Sequence, residues 1–111
     1  TLVTGGYGFI YAKSIHNLSL SFVAIVANYR YNNEARANDL VLTVSDDGNR
    51  IAYSAPYEKV NIMDLQDKKW VKKAELPFMN LDVKALSFSK NGKLSVGVPK
   101  LGKVQVYKFD F

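Results

Sequence analysis

A chain of 111 residues, 48% hydrophobic and 23% charged, carries enough apolar material for one packed domain and too much for a disordered one. Its net charge of +5 leaves anionic partners open, but the longest apolar run, Phe22 to Ala27, falls far short of the ~18 residues of a membrane-spanning helix. The absence of cysteine excludes disulfides, thiolate catalysis and cysteine-ligated metals together, and leaves the cellular compartment undetermined.

Leu2 to Gly6 opens the chain as a short strand, and the strand-like runs Gly8 to Ile15 and Leu18 to Tyr29 follow it. The first residues lack the charged region of a signal peptide, and the start at Thr1 reads as that of a mature or excised piece. Asn28 to Asp39 is polar and has no period, so it is expected to be a long connection with at most one turn of helix near residues 33–40. Leu40 to Ser45 is rich in strand formers. Asp46-Asp47-Gly48-Asn49 supplies the residues that tolerate the positive φ of a tight hairpin turn, and Arg50 to Ser54 is the returning strand. Pro56 lacks a backbone donor and so ends that strand's ladder or sits at its edge. Lys59 to Leu65 alternates Val60 and Ile62 with Asn61 and Met63, Gln66 to Lys69 turns the chain, and Trp70 to Leu76 makes a strand that Pro77 is expected to stop. Val83 to Ser89, a turn at Lys90-Asn91-Gly92-Lys93, Leu94 to Val98 and Lys103 to Phe109 repeat the pattern.

The second run echoes the first residue by residue. Gly48 and Gly92 are 44 positions apart, Pro56 and Pro99 43, and Val60 and Val104 44. A repeat of about 40 to 50 residues built from short strands predicts an all-β fold of antiparallel four-stranded propeller blades. Labelling the strands of a blade a to d, the order is b-c-d, a-b-c-d, a-b-c: about two and a half blades of an incomplete propeller. Residues 1–111 are then one domain, with a divergent partial blade and loop over 1–39, a full blade over 40–77 and a partial blade over 83–111.

The run S-D-D-G-N-R-I-A-Y-S-A-P, followed by K-V-N-I-M-D-L, resembles WD-repeat blades. The segment Gly92 to Pro99, closed by Gly102-Lys103-Val104-Gln105-Val106-Tyr107, resembles the FG-GAP repeats of integrin-α-like propellers more closely. The likeness covers Leu40 to Phe109 well and the first 38 residues poorly. Calcium-binding FG-GAP blades carry an acidic loop of several oxygen ligands. Here the matching loops, Pro56 to Lys59 and Pro99 to Lys103, offer at most one carboxylate, and no Gly-His and Trp-Asp pair of a WD blade is present.

No catalytic set emerges. His16 is the one histidine, and Ser14 and Ser19 are near it only in sequence. Asp39, Asp46, Asp47, Asp67 and Asp82 fall in expected turns. Gly5-Gly6-Tyr7-Gly8 lacks the Lys-Ser/Thr and the helix of a phosphate loop and reads as a connecting turn. Asn17-Leu18-Ser19 matches the glycosylation acceptor pattern, a tripeptide common by chance. No metal and no cofactor are expected. The aromatics Tyr53, Trp70, Phe78, Phe88, Tyr107 and Phe109 are expected to fill the space between blades. Tyr29 and Tyr31 beside Arg30, with Tyr57 and Trp70, are the candidate binding residues, because aromatic and Arg side chains dominate binding hot spots.

The expectation is therefore a non-catalytic binding or scaffolding module. Its partners would be a protein or a glycan met through the loops, or a second chain completing the propeller. One alternative is an excised part of a propeller hydrolase with its catalytic residues elsewhere; the other, binding of nucleic acid or another anionic surface through the lysines, is disfavoured.

Overall fold

The computed structural model describes residues 2–6, 8–16, 19–28 and 40–111. Among these, ten strands make three antiparallel sheets, and the fold is all-β. The first sheet joins β1 (Leu2–Gly6), β2 (Phe9–His16) and β3 (Ser19–Asn28). The second joins β4 (Val41–Val44), β5 (Arg50–Ser54), β6 (Lys59–Gln66) and β7 (Lys69–Met79). The third joins β8 (Ala85–Phe88), β9 (Leu94–Lys100) and β10 (Lys103–Phe109). Every sheet is a meander of consecutive strands. Among the described residues, no helix is long and apolar enough to cross a membrane.

The turns explain the strand ends. In the β4–β5 hairpin the Ser45 hydroxyl donates to Asp47 Oδ1 at 2.6 Å and accepts from the Arg50 N–H at 3.0 Å, while Gly48 takes a φ of 78°. The β8–β9 hairpin repeats the device: Ser89 Oγ donates to Asn91 Oδ1, accepts from the Lys93 N–H at 3.1 Å, and Gly92 takes a φ of 86°. The first turn holds one residue more, Asn49, whose N–H donates to Asp47 Oδ1 at 3.0 Å. That residue is where the 44-residue spacing becomes 43. Asp67 and Lys68 both have positive φ, the twist-matched geometry of a two-residue hairpin.

Three boundaries depart from expectation by two residues or more, two of them at prolines. β7 runs through Pro77 to Met79, because it is an edge strand and its register slips between the Lys59↔Met79 and Val60↔Leu76 pairs; a bulge on an edge tolerates a missing N–H. β9 likewise continues past Val98 through Pro99, beyond its last β8 pair at Gly97, where only β10 lies beside it. β8 begins at Ala85 rather than Val83, since Asn80–Asp82 forms a 3-10 turn after the long β7. Gly5 and Gly6 belong to β1 itself, not to a turn. A Cβ on Gly5 would come 2.2 Å from Leu40 Cδ2, so the glycine allows the first sheet to approach the second.

The second sheet is covered on both faces. Ala52, Val60, Ile62 and Leu76 pack with Val83, Leu86, Leu94 and Val96 against the third sheet, and Ile51, Tyr53, Ala55 and Met63 pack with Ile10 against the first. The aromatics expected between sheets lie there: Tyr53 is buried, while Trp70, Phe78, Phe88 and Phe109 border the two clusters, and Tyr107 meets Phe78 at 5.1 Å. The lysines from Lys59 to Lys108 are exposed, several of them on the edge strands β7 and β10, where they discourage further pairing.

Buried Asn80 ties the second sheet to the third. Its side-chain amide donates to Ser54 O at 3.2 Å and Ser54 Oγ at 2.9 Å, its N–H donates to Glu58 O at 3.0 Å, and its carbonyl accepts from Val83 N at 3.1 Å. Asn80→Ala removes both side-chain bonds and strands buried Ser54, so denaturant unfolding should register a loss of about 2 kcal/mol. A change below ~0.5 kcal/mol would show that the connection does not depend on this residue.

Candidate functional site

Strand direction sends the 45–50 and 89–93 turns, the β6–β7 turn and Phe111 to one end of the sheets, and the Ala55–Glu58 turn and Asn80 to the other. At the first end the two equivalent turns stand on either side of a cleft of about 510 Å³, with Asp64, Leu65 and Gln66 in its wall. The repeat is thus not only a pattern along the chain: sheet stacking places its two turns across from each other.

Arg50 forms part of the cleft lining. It is the cross-strand partner of Asp64, and the pair is bidentate, with Nε to Oδ1 at 2.5 Å and Nη2 to Oδ2 at 2.9 Å. The Asp64 carboxylate raises the guanidinium pKa, and the Phe111 ring lies 5.4 Å from its carbon. Arg50 and Asp64 neutralise one another. Asp47 is engaged in its own turn; the Ser45 hydroxyl and then the Asn49 N–H hold its carboxyl below the ordinary range. The groups left to meet a ligand are the exposed Asp46 and Asn49 on one wall, Lys90 on the other, and Gln66 between.

At the opposite end, on the face toward the first sheet, Tyr53 and Asn61 are paired across strands and both buried. The Asn61 amide donates to Glu58 Oε1 at 3.2 Å. Burial pushes the Tyr53 phenol up to about 12, with the Glu58 charge adding to the effect. Burial also raises the Glu58 carboxyl, against the opposing effects of Asn61 and Lys72. A phenol held neutral to about 12 is a poor base or nucleophile at neutral pH. This cluster shapes the end of the sheet. Among the described residues, no three His, Asp or Glu groups gather within metal-binding range.

Of the candidate binding residues, Tyr29, Arg30 and Tyr31 lie outside the described residues. Tyr57 and Trp70 fall at opposite ends of the second sheet. Trp70 is half-buried against the Ile51–Tyr53–Met63 cluster. Tyr57 is 41% exposed at a φ of 66°, a left-handed conformation in which a bulky side chain is strained. The cleft residues Asp46, Asn49, Gln66 and Lys90 had read as turn formers. The signal that could have gathered them is the 44-residue echo, but only once the sheets are known to stack. No protein family, curated protein or solved structure matches the chain.

Two measurements follow from these electrostatics. Asp64→Asn removes the charge opposite half-buried Arg50 and should cost about 1 kcal/mol at low salt, with the deficit shrinking in high salt; an equal deficit at both salt levels would show that charge is not what the pair contributes. Glu58 binds its proton more tightly folded than unfolded, so its contribution favours the fold below about 4.5 and is lost as pH rises through the raised folded value. Glu58→Gln should therefore raise the thermal midpoint at pH 7, and the gain should vanish at a pH below about 4.5.

Proposed function

We propose that the chain is a non-catalytic binding module of the β-propeller type, its three sheets an arc of blades that presents the turn-bearing end to a protein or glycan partner. What supports the reading is the pairing of the two repeated turns across one polar cleft, on a frame of stacked sheets. Loops on a rigid scaffold are where proteins of this construction bind.

The chemistry of the cleft suits polyhydroxylated or mixed-charge ligands. The Asp46 carboxylate and the Asn49 and Gln66 amides offer acceptors and donors to hydroxyls, and Lys90 offers a cation to a partner's carboxylate. Its charges are of both signs and nearly balanced, which disfavours a polyanion. The lysines from Lys59 to Lys108 are scattered over edge strands, turns and strand ends of two sheets rather than gathered along one groove.

Screening against a glycan array and a panel of acidic and neutral peptides should yield a ligand whose affinity falls roughly tenfold in Asp46→Ala and in Lys90→Ala, with the thermal midpoint unchanged. Ligands insensitive to both substitutions would move binding away from the cleft. Hydrolytic turnover abolished by mutating His16 or a carboxylate would overturn the non-catalytic reading.

A further inference from the structure

The outer face of the third sheet is built like a face that the protein buries elsewhere. Val60 and Ile62 stand on β6, 0% exposed between the second and third sheets. Their repeat equivalents 44 positions on, Val104 and Val106 on β10, are 63% and 57% exposed. Strand pairing sets Val104 opposite Pro99 and Val106 opposite Gly97, which in turn faces Ala85 on β8. A Cβ built at Gly97 would lie in ordinary van der Waals contact, 3.5 Å, with both Ala85 and Val104, so the three positions share one continuous surface. The other face of the same sheet carries Leu86, Leu94 and Val96 and is already packed.

The protein itself shows what covers such a face. Across the internal interface, Val60 and Ile62 receive the apolar side of the next sheet in the series. We infer that the Val104–Val106 face docks the first sheet of a second copy of this chain, head to tail, continuing the stack. Lys108 shares the face of Val104 and Val106, so two copies joined third sheet to third sheet would each carry a lysine into the contact. Residues 1–28, by contrast, contain no Asp, Glu or Arg and a single lysine, Lys13. The first sheet seats Ile10 against the second sheet and stands the adjacent Phe9, 39% exposed, on its opposite face. Because the two surfaces differ, the contact is heterologous and grows into a ring or an open array as its rotation dictates.

This inference rests on the stacked-blade reading proposed above, but not on the cleft. Sedimentation velocity over a concentration series should show the parent chain self-associating. Val104→Glu with Val106→Glu, and separately Phe9→Glu, should each raise the dissociation constant roughly a hundredfold. Mixing the two variants should restore a dimer and no larger species, since each keeps the surface the other has lost. Far-UV circular dichroism and thermal midpoints verify folding, and the milder Val104→Thr with Val106→Thr, which keeps shape and strand preference, should weaken association in the same direction. A parent that stays monomeric at every concentration, or a Phe9→Glu chain that dimerises as well as the parent, overturns the proposal. Monomeric parent that still binds array ligands through Asp46 and Lys90 refutes the docking face alone; self-association without such binding refutes the cleft alone.

Discussion

The second sheet has no polar face, and the rest of the architecture answers to that constraint. A sheet with one face in water is stable against a single neighbour, but β5 and β6 present Ile51, Tyr53 and Met63 on one side and Ala52, Val60 and Ile62 on the other, all buried. Each of the larger aliphatic side chains contributes about 1.5–3 kcal/mol only when it leaves water. The first and third sheets are therefore needed at once, and the stack follows from apolar residues at successive positions along two strands.

Burial on both faces makes the polar connections between sheets consequential. The strands of neighbouring sheets exchange no ladder bonds, so order along the stack depends on side-chain packing and on a few residues in the connections. Asn80 bonds the end of β5 through Ser54, the following turn through Glu58, and the start of the third sheet through Val83. One amide side chain and its own peptide groups thereby fix the step from one sheet to the next. At the other end of the strands the bidentate Arg50–Asp64 pair joins β5 to β6 within the second sheet, in the lining of the cleft.

The same stacking creates the cleft. Two turns 44 residues apart in sequence have no local reason to meet; they meet because each closes a hairpin at the same end of its sheet and the sheets lie face to face. Inside each turn, a serine hydroxyl accepts from the backbone N–H that closes the turn and donates to an Asp or Asn side-chain oxygen, leaving the neighbouring side chains, Asp46 and Lys90, exposed to solvent. Construction and presentation are thus divided between adjacent residues of one loop.

The strands, their succession and their turns were legible in the residues alone, because those depend on local chemistry: glycine at positive φ in Gly48 and Gly92, apolar runs of strand length, and an echo long enough to align two sheets. Proline was the local signal that misled. Pro77 and Pro99 read as stops, yet each sits where a strand needs bonds on one side only, a circumstance set by sheet order and not by the residue. Burial and proximity were set instead by how the sheets pack against one another. Asn61 looks like the solvent-facing member of an alternating strand and is enclosed because another sheet lies against it. Tyr57 and Trp70 look like parts of one aromatic surface and are held at opposite ends of a sheet by the direction of β6. Local propensity specifies which backbone pairs; which faces meet depends on apolar area summed over strands far apart in the chain, and no short stretch of sequence carries that sum.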